Sequence, residues 1–318
     1  MSFGSNNKNM LTTLKLVLKD PLSPFRQMCW RIGVILNYSE KDILAKSMGE
    51  IIWFNGVPEE DFHADPFITD YFGETLIFFE KFHEREYHGD LEYISLDALL
   101  SGNVQSKTAL RLPTHLSFPF LFEYNQTLYM IPENSESHTI SLFKSDDSPD
   151  NWQRVSTLIS DFDGIDTTLF EYNNTWWMFS TRKIGRTPAE NTDLYIWYSD
   201  NPLGGWKPHK MNPIKYDTPI ARGAGKPFTL DGKLYRPVQD CSRTYGGELL
   251  IKEITELTPE EFSEDSVLQI SGQSPFKDRI HTFNSNGVVT VIDGARNRYS
   301  LLHAWRIFKN MLSRNEMK

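Results

Sequence analysis

The chain reads as an all-β protein, a five-bladed β-propeller of four-stranded antiparallel blades with short helical segments at its N- and C-termini. Three observations predict this. A hairpin pattern recurs five times at a spacing of roughly 50 residues, the signature of a radial array. Each copy is followed by further strand-like runs, so that one unit holds four strands. Turn features also repeat: Pro149 precedes Trp152, and Pro202 precedes Trp206 with one residue more between them. Four-stranded sheets repeated around an axis shorten and protect their edges.

The elements follow in order. Leu11, Leu14 and Leu18 fall at helical spacing, and Pro21 and Pro24 end that helix, which places an N-terminal segment over 1–27. Trp30 to Leu36 and Ile51 to Phe54 are strand candidates, and Asn55-Gly56 turns the chain onwards. The five hairpins then begin, and the propeller is expected over 28–300. The first runs Asp65-Pro-Phe-Ile-Thr-Asp-Tyr-Phe-Gly-Glu-Thr-Leu-Ile-Phe-Phe-Glu80. The second is Phe118-Pro-Phe-Leu-Phe-Glu-Tyr-Asn-Gln-Thr-Leu-Tyr-Met-Ile-Pro-Glu133. The third and clearest is Asp166-Thr-Thr-Leu-Phe-Glu-Tyr-Asn-Asn-Thr-Trp-Trp-Met-Phe-Ser-Thr181, two alternating strands about an Asn-Asn turn. A looser copy extends from Lys226 to Asp240 and a fainter one from His281 to Asp293. Over 301–318, Leu301, Leu302, Trp305, Phe308 and Leu312 mark an amphipathic helix with Arg306, Lys309, Arg314 and Lys318 interspersed. It either caps the propeller or touches anionic lipid.

Composition narrows the function classes. The 318 residues include 13% aromatics, enough to bury a sizeable core, and carry a net charge of −9, which argues against a general nucleic-acid binder. Cys29 and Cys241 are the two cysteines, too few and too far apart for a zinc site or disulfide framework. We read both as free thiols in a reducing compartment. No secretory signal is visible in the first 20 residues, and no apolar run approaches the roughly 20 residues that span a bilayer. The expected location is the cytoplasm, with the terminal helix able to touch the inner face of the membrane.

In a propeller the first strand of each blade lines the channel, so equivalent positions converge in space. Asp65 and Asp166 share one position, which Phe118 takes in the second blade and the Ala224/Gly225 region in the fourth. A second shared position holds Glu80, Glu133, Thr181 and Gln239. Carboxylates converging on one funnel suit general acid/base work on a sugar, although acids at strand ends also cap turns. The second constellation is basic: Arg182, Lys183 and Arg186 after the third hairpin, Arg222, Lys226, Arg236 and Arg243 around the fourth, His281 and Arg296 in the fifth. Gln239 and Asp240 complete the candidate substrate-binding set. Arg binds phosphate or carboxylate oxygens in pairs, and Gly223 and Gly225 allow close backbone approach, so an anionic ligand such as a phosphorylated sugar is expected. No phosphate-cradling loop or dinucleotide fingerprint occurs. No spacing calls for a metal or other cofactor, and His63 reads as a hydrogen-bonding residue of the channel wall.

Several of these segments carry a resemblance: Ala-Asp-Pro-Phe, Phe-Pro-Phe-Leu-Phe-Glu-Tyr-Asn, Asp-Thr-Thr-Leu-Phe-Glu-Tyr with Trp-Trp-Met-Phe, and Leu-Tyr-Arg-Pro-Val-Gln-Asp-Cys-Ser. Together they resemble the N-terminal domain of plant glucosamine inositolphosphorylceramide transferases, which has bacterial relatives in cell-surface polysaccharide contexts. The resemblance covers roughly Trp30 to Ala304, and that domain is in turn similar to arabinanase, invertase and levansucrase-type propellers. Glycosidases of that clan use three acids; Asp65 matches the first, Asp166 the second or third, and Glu133 is the candidate general acid. The missing Asp at the start of blade two and the added cations depart from the glycosidase pattern. What the resemblance implies is a glycosyltransferase of surface-polysaccharide assembly whose donor leaves a phosphate or diphosphate. In that expectation Arg182, Lys183, Arg222, Lys226 and Arg236 hold the phosphates, and Asp65 or Asp166 deprotonates the acceptor hydroxyl. A phosphoribosyl diphosphate-like donor would suit so many cations without a nucleotide-binding fold, and a glycan or lipid-linked glycan would accept. The rivals are a glycoside hydrolase and a non-catalytic glycan-binding propeller.

Overall fold

The computed structural model describes residues 21–22, 25–54, 61–71, 73–102, 105–184, 191–301, 303–305 and 309. The expected N-terminal helix, the Asn55-Gly56 turn, Arg186 and most of the expected C-terminal helix lie outside these residues. Two compact units are present: Trp30–Ala295, which contains the blades, and a smaller one of Met1–Cys29 with Arg296–Lys318. In the smaller unit the main-chain N–H of Ser300 donates to the carbonyl of Phe25 at 2.7 Å, and Arg298 Nε donates to Gln27 Oε1 at 3.0 Å. Among the described residues no helix is long and apolar enough to cross a membrane.

The strands in chain order are β1 (Arg26–Leu36), β2 (Ile52–Trp53), β3 (Phe62–Tyr71), β4 (Glu74–His83), β5 (His88–Ser95) and β6 (Lys107–Leu110). There follow β7 (Ser117–Tyr124), β8 (Thr127–Glu133), β9 (Thr139–Ser145), β10 (Trp152–Ser160), β11 (Gly164–Tyr172), β12 (Thr175–Arg182) and β13 (Asp193–Ser199). The last are β14 (Lys207–Pro208), β15 (Ile214–Lys215), β16 (Phe228–Leu230), β17 (Lys233–Asp240), β18 (Glu248–Leu257), β19 (Phe262–Ser271), β20 (Phe283–Ser285) and β21 (Val289–Tyr299). Two short helices, α1 (Glu40–Leu44) and α2 (Leu96–Leu100), lie in connections.

These strands form the five antiparallel sheets that the repeats predict: β3 to β6, β7 to β10, β11 to β14, β16 to β19, and β2-β1-β21-β20. In the third blade the outer edge is split, with β14 and β15 each pairing β13 over two residues. Pro208 and Pro213 flank the break, and a proline has no N–H to give a sheet ladder. The fifth blade is assembled from both ends of the propeller. Its outer strands are β1 and β2, the two candidates that sequence periodicity leaves unassigned to any blade.

Apolar packing lies between blades. Phe78 joins Phe118, Phe120 and Met130 on the blade-two side, whereas its neighbours Ile77 and Phe79 pack with Ile32, Val34 and Val291 of the fifth blade. Trp177 and Phe179 likewise pack towards Leu234 and Ile254 of blade four, and Met178 packs back towards blade two. Successive side chains of a strand point to opposite faces, and here both faces are buried. That is why the second strands read as unbroken apolar runs.

Candidate active site

Each of the first three inner strands carries a one-residue bulge at its start. The registers slip between Ala64 and Phe67, between Ser117 and Phe120, and between Ile165 and Thr168. The extra residue is Asp65, Phe118 or Asp166, each left-handed, with φ of 52°, 43° and 50°. A bulge of this kind re-aims a side chain, at a backbone cost of about 1–2 kcal/mol per non-glycine residue. Phe118 shows that the hairpin demands the bulge and not the carboxylate.

The bulges bring together a buried polar centre. Arg222 lies on the loop before β16 and grips Asp166 with two bonds, Nε to Oδ2 at 2.5 Å and Nη2 to Oδ1 at 3.1 Å. Glu133 Oε2 is 3.8 Å from Nη2 of the same guanidinium and accepts the main-chain N–H of Asp166 at 3.1 Å. Gln239 Nε2 reaches Asp166 Oδ2 at 3.4 Å and the Gly223 carbonyl at 2.9 Å. Tyr245 covers Arg222, its ring centre 5.0 Å from the guanidinium carbon. Asp65 is held from the two neighbouring blades, the second and the fifth. Thr282 donates its hydroxyl to Oδ1 at 3.0 Å, Phe118 its N–H to Oδ2 at 3.3 Å, and the N–H of Asp65 itself binds Asp293 at 3.1 Å. His281 pairs with Asp293 at 2.6 Å, lies 3.5 Å from Asp65, and stacks on Trp30 at 3.8 Å between ring centres.

Desolvation sets the protonation of this centre. Burial pushes the carboxyls of Asp65 and Asp166 up to about 6, although His281 opposes it at the first and Arg222 at the second. Glu80 is raised well above the usual glutamate value by burial and by Asp65, Glu133 and Asp293. Glu133 is raised as well, burial outweighing Arg222. Burial disfavours the charged form of His281, yet Asp293 and Asp65 more than compensate and raise its pKa. The centre therefore holds carboxyls able to take or give a proton near neutrality beside a fixed cation, which is what acid/base chemistry with charge stabilisation requires.

The structure sorts the residues that the sequence singles out. Asp65, Asp166, Glu133, Arg222, Gln239 and His281 come together. Lys183 lies at the edge, its Nζ 3.1 Å from Ser135 Oγ, close enough to lower the pKa of Glu133. Arg182 instead lies against the ring of Phe162 at 5.5 Å. Arg236 is a structural residue: Nε and Nη2 each bind Glu264 at 2.9 Å, and Nη1 donates to the Ala221 carbonyl. It stands three residues from Gln239 on β17, so strand alternation turns it to the other face. Lys226 lines a separate cavity farther along the channel. Asp240 caps its own loop, accepting from the N–H of Ser242 at 2.9 Å. Arg243 is exposed on that loop, and Arg296 is exposed within the smaller unit. His63 is no hydrogen-bonding wall residue: both its ring nitrogens lack partners among the described residues, and its ring packs against Phe54 and Phe79. Cys29 and Cys241 are both buried, each with a free thiol.

Asp293, Thr282, Tyr245 and Trp30 escape the sequence reading. Asp293 had a legible signal, because it ends the fifth hairpin where Glu80, Glu133, Thr181 and Gln239 end the others. Trp30 and Tyr245 had none, since one comes from a strand outside the repeats and the other from a loop. Asp65, His281 and Asp293 also place one donor atom each within 4.8 Å of one another, a spacing able to hold a cation. Their hydrogen bonds are already mutual, however, and Asp293 Oδ1 accepts the N–H groups of His281 at 2.9 Å and Thr282 at 3.0 Å.

A cavity of about 510 Å³ lies elsewhere, lined by the far ends of the inner strands, including Glu171 and Phe228. The candidate active site is assigned to the carboxylate centre, where the perturbed groups and the fixed cation are, and not to that cavity.

Comparison with known proteins agrees with this architecture. The glucosamine inositolphosphorylceramide transferase 1 of Oryza sativa subsp. japonica is 38% identical over 208 residues, 64% of this chain and 28% of that protein. The protein of the same name from Arabidopsis thaliana is 35% identical over 218 residues, 67% of this chain and 28% of its own length. The chain thus spans just over a quarter of the curated relatives it matches. Among solved structures, alpha-L-arabinofuranosidase from Lactobacillus brevis superimposes with a TM-score of 0.55 at 15% identity, covering 76% of this chain and 87% of that one, a likeness of fold. Residues 53–288 match the family model described as glucosamine inositolphosphorylceramide transferase 1, N-terminal, and the chain belongs to that family.

Proposed function

We propose that this propeller is a glycosyltransferase module that moves a sugar from a phosphorylated donor to a glycan or lipid-linked acceptor. The observation that carries the reading is the guanidinium of Arg222 fixed among carboxyls of raised pKa. A glycosidic oxygen leaving in hydrolysis needs a proton, whereas a leaving phosphate needs a positive charge. Arg222 Nη1 has no hydrogen-bond partner among the described residues, which leaves one donor of the fork for a phosphate oxygen. Asp65, with its pKa near 6, is the base for the acceptor hydroxyl, and Glu133 and Asp166 keep Arg222 in place. The relatives' names, which describe transfer to an inositolphosphorylceramide, support transfer to a lipid-borne acceptor.

The donor site is less basic than the sequence suggests, with Arg222 central and Lys183 at its edge. A phosphoribosyl diphosphate-like donor is the narrowest form of the proposal, and assembly of an O-antigen- or capsule-like polysaccharide at the cytoplasmic face of a membrane is its setting. Thermal-shift measurements with ribose 5-phosphate, phosphoribosyl diphosphate and neutral oligosaccharides test it. Phosphorylated sugars should raise the Tm of the wild type and fail to do so in Arg222→Lys, which keeps the charge and loses the fork. Stabilisation by neutral glycans alone, abolished in Asp65→Asn, would overturn the proposal in favour of the second reading. That reading is glycoside hydrolysis, and the gathering of Asp65, Asp166 and Glu133 in one cluster favours it.

A further inference from the structure

The 510 Å³ cavity is a second feature of the channel, built from different residues. Its wall comes from the turn ends of the inner hairpins of blades two to five, with Glu40 of α1 added. Along β11, Glu171 follows Asp166 by five residues, about 16 Å at the rise of an extended strand. The Glu171 end of the cavity therefore lies well away from Asp166, and Leu169 and Phe283 line the side nearer the carboxylate centre.

Its lining mixes aromatic faces with hydrogen-bonding groups. Trp176 is half-buried and stands directly across the hairpin from Glu171. Tyr124 meets it edge-on at 5.8 Å and Phe122 lies at 6.0 Å, so the indole is held in orientation. Its chain neighbour Trp177 is buried at 2% exposure in the core between blades, which the doubled tryptophan of the sequence does not reveal. Across the cavity stand Phe228, Thr229, Ser285 and Asn286. Glu123 and Glu171 are exposed and have no cationic partner among the described residues.

We infer that this cavity is a saccharide-binding subsite, for a neutral or amine-bearing glycan and not for a phosphorylated one. A sugar ring offers an apolar C–H face to an indole and hydroxyl donors to carboxylates, and 510 Å³ is the size of a small-ligand site. Charge excludes the alternative. Glu40, Glu123 and Glu171 face the single ammonium of Lys226, three negative charges against one positive, so a phosphate would be repelled. The two ends of the channel thus divide the ligands by charge, and this site stands whether or not the carboxylate centre transfers a sugar.

Titration calorimetry on the full chain tests the inference, using hexasaccharides of β-1,4-glucose, β-1,4-xylose and α-1,5-arabinose, a chitosan hexamer and ribose 5-phosphate. At least one of the four glycans should bind, and both Trp176→Ala and Glu171→Gln should weaken it by about tenfold or more. Asp65→Asn should leave that binding unchanged, which separates this site from the carboxylate centre. Circular dichroism and the melting temperature establish that the variants are folded, and Glu171→Gln, an exposed near-isostere, keeps the test open should Trp176→Ala unfold. Failure of every glycan to bind at about 10 mM, binding undiminished in folded Glu171→Gln, or loss of binding in Asp65→Asn would each overturn the inference.

Discussion

Arg222 and Asp166 come from adjacent blades, 56 residues apart, and meet in a two-pronged pair that is almost wholly buried. Removing either partner breaks the buried pair and leaves Arg222 only the longer contact to Glu133 at 3.8 Å, or Asp166 only Gln239 at 3.4 Å. Asp166→Asn should therefore cost about 3–5 kcal/mol of stability. The double variant Asp166→Asn with Arg222→Met should cost less than the two single losses added together, because neither ion is then stranded. Urea unfolding of the four proteins measures this coupling.

The acidity of Asp65 gives a prediction about pH. Its folded pKa of about 6 exceeds the ordinary aspartate value of 3.8, so the native state binds this proton more tightly than the unfolded chain does. The corresponding stability is whole below pH 3.8 and is lost as the pH rises through about 6. Asp65→Asn removes that dependence. The melting temperature of the variant, relative to wild type, should climb by a few degrees between about pH 5 and pH 7. A difference that stays constant across this range would show that Asp65 does not titrate there.

Gly89 is packed where no side chain fits. A Cβ there would lie 2.5 Å from the Leu116 carbonyl oxygen, 2.7 Å from His115 Cε1 and 2.8 Å from Glu80 Oε1. The same residue donates its N–H to His115 Nδ1 at 2.9 Å, and His115 Nε2 stands 3.3 Å from Glu80. Gly89→Ala should destabilise the protein by about 1–3 kcal/mol and displace His115 from Glu80. The loss is read from thermal unfolding and the displacement from the imidazole NMR signals of His115.

Arg236 belongs to the fold. Glu264, held by Arg236 at 2.9 Å and by Lys252 at 2.9 Å, has a pKa lowered to about 2, the two cations overcoming the effect of burial. That stabilisation is present above the ordinary value of 4.5 and is lost as the pH falls through about 2. Arg236→Met should cost about 3–5 kcal/mol at neutral pH by leaving Glu264 short of charge. Binding of sugar phosphates by the folded fraction should be unchanged, which calorimetry below the unfolding temperature can establish.

Strand periodicity and repetition are local properties, and most of the architecture was legible from them. The bulged starts of β3, β7 and β11 and the common ends of β4, β8, β12 and β17 are equivalent positions, and from these Asp65, Asp166, Glu133 and Gln239 could be brought to one centre. Applying the same register to the fifth hairpin would have added Asp293. The cations were harder to place because nearness in sequence to a channel strand does not determine a side chain's direction. Arg222 precedes the β16–β17 hairpin and Arg236 lies on its second strand, yet one enters the centre and the other the interface between blades.

What the sequence by itself determined was the number of blades, the order of their strands and the positions where polar residues could face the channel. The period-two pattern of each hairpin and its turn carry that information locally. Only the tertiary structure decided which blade β1 and β2 complete, that Trp30 and Tyr245 close over His281 and Arg222, and that Trp176 faces a cavity while Trp177 is core. Those outcomes depend on how the sheets pack around one axis, and they join residues far apart in the chain, as Tyr38 and Thr290 are, 252 positions from one another. No local pattern encodes such pairs.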